Sequence, residues 1–296
     1  MSTFWIVLTG ALVASACSIV GCFLVLRKMA MIGDAISHAV LPGIVIAFLI
    51  GGSRDSLLML LGAAAIGLLA VFLIQWFHQS GVPSDASIGV VFTALFAAGV
   101  VLVSMYTRDI DLDLDCVLYG EIAYVPWNTL QIAGVDIGPK AVWGVGLALL
   151  LSVVLIAAFY KQFKICSFDP AMAAAVGIPV ALFHYLLMGL VSVSTVASFE
   201  SVGAILVVGM LVVPPATAYL LTEKLGRMIV YSVLIGCASS VIGYFAASML
   251  DASIAGSMIS IAGGIFLIAL LFSPSHGVVL RKIKQKQMVR QASIAE

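Results

Sequence analysis

Apolar runs of bilayer-spanning length, separated by short polar breaks, recur from one end of the chain to the other. A helix needs roughly 20 apolar residues to cross a hydrocarbon core of about 30 Å. The runs at 4–26, 33–51, 56–77, 86–106, 141–160, 179–199, 201–222, 228–249 and 253–272 meet that length. The pattern predicts an all-α, polytopic membrane bundle of about nine spans (roughly eight to ten). The stretch 107–140 fits least well. It is polar at first and then carries short apolar pieces such as Ile122–Val125, which suits a short re-entrant or interfacial helix. Small residues recur at four-residue spacing within the spans, as in Gly89, Thr93 and Ala97, or Ala63 and Gly67. That spacing permits close helix–helix approach in lipid.

Composition makes lipid the necessary solvent. Of 296 residues, 63% are hydrophobic and 9% charged, and the mean hydropathy is +1.21. Soluble domains hold about 45–50% apolar and about 25% charged residues. A soluble enzyme, a disordered regulator and a nucleic-acid binder are excluded, and a net charge of zero offers no basic surface to a polyanion. Ala14-Ser15-Ala16 before Cys17 looks like a signal cleavage site. No Lys or Arg precedes that run, however, and it continues to Leu26, so it reads as a retained first helix. The cysteines Cys17, Cys22, Cys116, Cys166 and Cys237 form no C-x-x-C pair and read as small packing residues. Residues 1–275 form one membrane domain, and 276–296 form a basic tail.

Charge placement predicts orientation. If Arg27-Lys28 faces the cytoplasm, the same side receives Lys161, Lys164, Lys224, Arg227 and the tail residues Arg281, Lys282, Lys284, Lys286 and Arg290. Only Arg54, Arg108 and Lys140 fall outside, so the positive-inside rule puts the N-terminus outside and the C-terminus in the cytoplasm. On this map Asp55, Asp109, Asp111, Asp113, Asp115, Glu121, Asp136 and Asp251 are external and would attract cations or a basic partner.

Ionisable groups within spans are costly and therefore point to function. Asp34 and His38 lie in the second span at i and i+4, on one helical face. In a helix continuous from Lys28 they would lie about 9 Å and about 15 Å deep, and shallower if the helix starts near Gly33. Pro42, four residues after His38, cannot donate to the His38 carbonyl. A carboxylate, an imidazole and a carbonyl suit a borderline divalent metal, while an Asp–His pair also suits proton transfer or helix packing. Pro214-Pro215 should kink the seventh span and release the carbonyls of Met210 and Leu211. His184 reads as a packing histidine, and Glu200 as a weaker candidate on the metal path.

The segment 167–180, SFDPAMAAAVGIPV, follows Lys161 and Lys164. Asp169 before Pro170 reads as an N-cap with proline at the first helical position, and Gly177 closes the short helix. Such a helix suits a groove on another protein, and equally a surface connector.

These stretches together resemble the membrane permease subunits of bacterial ABC importers for manganese, zinc and iron. The likeness rests on GDAISHAVLPG (33–43), SFDPAMAAAVGIPV (167–180) and SFESVGAILVVGMLVVPPATA (198–218), with SIGVVFTALFAAGVVLVS (87–104) and DLDCVLYGEI (113–122) also fitting. The resemblance implies a homodimer or closely related pair of permeases, two cytoplasmic ATPase subunits and an external metal-binding lipoprotein. It implies that 168–178 is the coupling helix, with Phe168, Asp169, Pro170, Ala174, Gly177 and Ile178 meeting the ATPase. It also implies that Asp34 and His38 are ligands on the path of a transported Mn2+, or alternatively Zn2+ or Fe2+, with no permanently bound cofactor. SFESVGAIL looks more like the manganese permeases than the zinc ones. Two rival classes are an ion-coupled secondary transporter, of which no inverted repeat is seen, and an intramembrane enzyme, for which no H-E-x-x-H is present. With no G-x-x-x-x-G-K-[ST], ATP hydrolysis belongs to a partner.

Overall fold

The structure, a computed structural model, describes residues 2–51, 56–106, 122–132 and 135–273. Among them, nine helical segments are long and apolar enough to cross a membrane. The helices are α1 (Ser2–Leu26), α2 (Met31–Ala39), α3 (Leu41–Gly51), α4 (Ser56–Gln79), α5 (Ser84–Tyr106), α6 (Lys140–Ala158), α7 (Tyr160–Phe168), α8 (Pro170–Ala175), α9 (Val180–Leu221), α10 (Leu225–Leu250) and α11 (Ile254–Phe272). α1 is the central post, packed along α9, α10 and α6, while α2–α5 form a second group joined to it through α9. Val13, Ala14, Ala16, Cys17, Val20 and Cys22 of α1 are fully buried, so the two cysteines are packing residues. Three in-span hydroxyls return to their own helix: Thr9, Ser37 and Thr217 each donate to the carbonyl four residues earlier. This satisfies them without water.

The second span is two helices. α2 and α3 are divided at Val40, two residues before Pro42, whose missing N–H and ring prevent an unbroken ladder. The Val40 amide donates to the Ile36 carbonyl at 3.1 Å, and Pro42 has no amide to offer the His38 carbonyl. α3 lies against α4 where Gly43 and Gly62 meet backbone to backbone; a Cβ on either would collide with the other's carbonyl.

α9 has 42 residues, about 63 Å of helix and twice a hydrocarbon core. It divides at Gly203, where φ is 77° and ψ is 166°, a region open essentially to glycine alone. Val180 and His184 line a cavity with Ser167 and Pro170, and the residues just past Leu221 line one with Lys164 and Phe168. Both ends of α9 therefore lie at one end of the bundle, and the chain reverses at Gly203. Pro214 and Pro215 keep helical dihedrals, so the sharp break falls at the glycine and not at the prolines as expected. The carbonyl that Pro215 cannot engage, that of Leu211, packs against Gly21 of α1. The proline pair thus serves close helix packing.

At the opposite end, the expected short helix in 107–140 is a 3-10 turn, Ile122–Trp127, followed by an antiparallel hairpin of β1 (Thr129–Ile132) and β2 (Val135–Pro139). β-branched Thr129, Ile132, Val135 and Ile137 favour strand, and Pro139, with no N–H to donate, ends it. The hairpin packs onto the start of α1, where the Gly138 backbone meets the Trp5 ring. The carboxylates expected to be external at Asp55, Asp109, Asp111, Asp113, Asp115 and Glu121, with Cys116 and the basic tail, lie outside the described residues.

Candidate functional site

Asp34 and His38 sit one turn apart on α2, with His38 Nε2 3.6 Å from Asp34 Oδ1. Two ligands each about 2.1 Å from one ion can be at most about 4.2 Å apart. The pair is therefore spaced to share a cation. α2 begins at Met31 after a turn, so the pair lies nearer the helix end than a helix continuous from Lys28 would place it: about 4.5 Å and about 10 Å along the axis. The turn is a Schellman closure of α1. The Met29 amide reaches the Leu24 carbonyl at 2.9 Å, and Lys28 is left-handed with φ 58°.

Gly33, Ala35, Ile36, Ser37 and Ala39 are buried against the bundle, while the Asp34 side chain is 43% exposed and that of His38 26%. The helix thus buries its apolar face and turns the two candidate ligands away from it. α5 supplies the remaining wall. The rings of Phe92 and Phe96, four residues apart, lie 5.5 and 5.8 Å from the imidazole and fix its orientation. The sequence signal for them was there, two aromatics at helical spacing, but nothing local said which histidine they would meet. Beside them Gly89, Thr93 and Ala97 face outward, and a Cβ at Gly89 would meet nothing. This small-residue stripe is uncovered, whereas Ala63 and Gly67 are internal: Ala63 is fully buried and Gly67 lies on Ser192.

Among the described residues no three His, Cys, Asp or Glu side chains converge as a metal-binding group. The Asp34–His38 pair offers oxygen and imidazole nitrogen without thiolate, a donor set open to manganese, zinc and iron. Glu200 belongs to α9 three residues before the reversal; its side chain lies outside what the structure describes.

The segment 167–180 folds as anticipated. Asp169 Oδ1 accepts from the Met172 amide at 2.9 Å, and Pro170 opens α8. The Ile178 amide closes onto the Ala173 carbonyl with Gly177 at φ +86°. Ala173 is buried and Ala174 exposed. Phe168, which ends α7, and Met172 and Val176, in and just after α8, stand 56%, 59% and 68% exposed and give this segment an apolar surface; of the three, only Phe168 was a candidate from the sequence. α1 holds this segment in place: Arg27 Nε donates to Ser167 Oγ at 3.1 Å, and Nη1 lies 3.4 Å from His184 Nδ1. His184 is thus a partner of Arg27. Burial pulls the Arg27 pKa down from its ordinary value, with neighbouring Cys166 acting the other way. Burial likewise raises that of Cys166, opposed by Arg27.

A multi-pass helical bundle with a reversed long helix, an outward Asp–His pair and a capped helix projecting from one end defines a membrane permease, and its relatives agree. The chain belongs to the ABC 3 transport family, which it matches over residues 2–273. It is 56% identical to the manganese transport system membrane protein MntD of Bacillus subtilis, over 97% of each chain. It is 40% identical to the zinc transport system membrane protein TroD of Treponema pallidum, covering 94% of this chain and 76% of that one. Among solved structures it superimposes on PsaBC from Streptococcus pneumoniae in complex with Fab. That match has a TM-score of 0.79 and 34% identity, and covers 95% of this chain and 94% of the other.

Proposed function

We propose that this chain is the membrane-spanning subunit of an ATP-driven importer of divalent metal in the bacterial plasma membrane, with manganese the favoured cargo. The observation that carries the reading is the outward-facing Asp34–His38 pair, spaced to share an ion and backed by Phe92 and Phe96. Similarity to MntD favours manganese, and similarity to TroD keeps zinc as the alternative; iron is the third. Two ligands per chain do not complete a coordination sphere. The uncovered stripe Gly89, Thr93 and Ala97 beside them suits a second copy of the chain, which would bring its own pair to the ion. An incomplete and symmetric site also fits transport, because binding must offset lost hydration and still release.

The bundle end that carries Arg27, Lys28, Lys164, Lys224 and Arg227 is read as cytoplasmic. There the apolar face of Phe168, Met172 and Val176 is the surface for an ATPase subunit, which supplies the hydrolysis. The hairpin end faces outward, toward a metal-delivering lipoprotein. Glu200 belongs to the path as a weaker candidate.

The test uses the purified complex in liposomes. Manganese uptake should require ATP on the ATPase side and persist when the proton gradient is collapsed. Asp34→Asn and His38→Ala should each reduce uptake more than tenfold without lowering the amount of assembled complex. Uptake that ignores ATP would favour the secondary transporter, and an Asp34→Asn protein that moves manganese at the normal rate would remove the pair from the path.

A further inference from the structure

The cavity between Ser167, Pro170 and the start of α9, of about 470 Å³, is closed by the C-terminal ends of α1 and α4. We infer that it is a binding site for a phosphate-class anion, either the phosphodiester headgroup of an acidic phospholipid or free phosphate. Its polar lining includes Arg27, Lys28, Gln75, Gln79, Ser167, His184 and Tyr185, and among the described residues no Asp or Glu lines it. Two adjacent cations with no carboxylate facing them leave a net positive cavity at the level where a helix leaves the hydrocarbon. Basic pockets between membrane helices select anionic headgroups for that reason.

The state of Arg27 adds an independent reason. Its Nε is engaged by Ser167 and its Nη1 by His184, but Nη2 is buried with no hydrogen-bond partner among the described residues. A buried guanidinium nitrogen without an acceptor is costly, and a planar guanidinium matches phosphate oxygens well. The guanidinium has no acceptor, so His184 Nδ1 must accept from it. The ring proton then sits on Nε2, which becomes a further donor. Lys28, held exposed in its left-handed turn, and the amides of Gln75 and Gln79 complete a donor-rich rim over walls that are otherwise mostly apolar. By contrast, the neighbouring cavity at Lys164, Lys224 and Arg227 contains Glu223, an internal carboxylate that offsets its charge. An anion held by Arg27 would also brace Ser167, and through it the helix α8, against α1.

The full-length protein in phosphatidylcholine nanodiscs is titrated with dihexanoyl phosphatidylglycerol, inorganic phosphate and dihexanoyl phosphatidylcholine. Thermal unfolding and bound mass by native mass spectrometry are the two readouts. Phosphatidylglycerol should bind saturably, about one per chain, and raise the unfolding temperature, while phosphatidylcholine should do neither. Arg27→Gln combined with Lys28→Gln should weaken binding at least tenfold. Gln79→Glu alters an exposed side chain, so the fold should survive. It places a competing carboxylate at the rim and should weaken binding comparably, whereas Lys224→Gln should change nothing. Phosphatidylglycerol binding without phosphate binding identifies a lipid site; equal binding of both identifies a site for the free anion. Phosphatidylcholine binding as well as phosphatidylglycerol, or Gln79→Glu binding as tightly as the parent, overturns the inference.

Discussion

At the residue scale, function and fold rest on positions whose chemistry admits few substitutes. On the proposed function Asp34 and His38 are the polar pair with the fewest substitutes, two ionisable groups 3.6 Å apart on a helix that carries no other. Gly203 is the conformational counterpart. At φ 77° and ψ 166° any Cβ clashes with its own backbone. Gly203→Ala should therefore destabilise the protein by about 1–3 kcal/mol, lowering its unfolding temperature in detergent, whereas Gly→Ala inside an ordinary helix stabilises. An unchanged melting curve would show that the reversal tolerates another geometry. The pair was legible in the sequence because acidic and basic side chains are rare in apolar runs. Gly203 was not, because a φ value is not a composition signal and the junction at residue 200 contains no polar loop.

At the element scale, the short capped helix α8 is the piece most fully readable from local chemistry. Asp169, Pro170 and Gly177 are start and stop signals that act within a few residues, and each acts as such in the fold. Its exposed face required the structure, since Phe168, Met172 and Val176 could equally have turned toward the bundle. Met172→Glu places a charge in the middle of that face, and Gly177→Val forces a β-branched residue into positive φ. Both should sharply reduce transport-coupled ATP hydrolysis in the reconstituted complex. Met172→Glu should leave the unfolding temperature of the isolated permease unchanged, because the side chain is exposed. Full coupling in both variants would make α8 a connector only. The division of the second span into α2 and α3 was partly legible: Pro42 removes one donor from the helical ladder, but the separation into two helices at Val40 depended on how the turn settled.

At the scale of the whole molecule, the structure gathers at one end the basic loops that the sequence scatters. Arg27 and Lys28 share a cavity with Ser167, and Lys164 shares one with Lys224 and Arg227. The N-terminal turn of α1 lies at the other end, where Thr3 Oγ1 and Tyr244 Oη are 2.9 Å apart and Trp5 meets the hairpin. In an otherwise cysteine-free protein in intact cells, Ser2→Cys should react with an impermeant thiol reagent and Glu223→Cys should not. The reverse labelling would invert the map and place α8 on the wrong side for an ATPase.

The sequence by itself determined the solvent, the number of spans and their limits to within a few residues, because burying a backbone in lipid demands helices of fixed length and leaves an unmistakable apolar run. It also determined the caps of α8 and the Asp–His spacing, both set by contacts within one helical turn. Only the tertiary structure decided what faces what. It set Phe92 and Phe96 on His38, tied Arg27 to Ser167 and His184, and turned the Gly89–Thr93–Ala97 stripe outward. Apolar runs this uniform carry little periodicity to mark an inner face, so in lipid the orientation of a helix is chosen by packing against its neighbours rather than by avoidance of water.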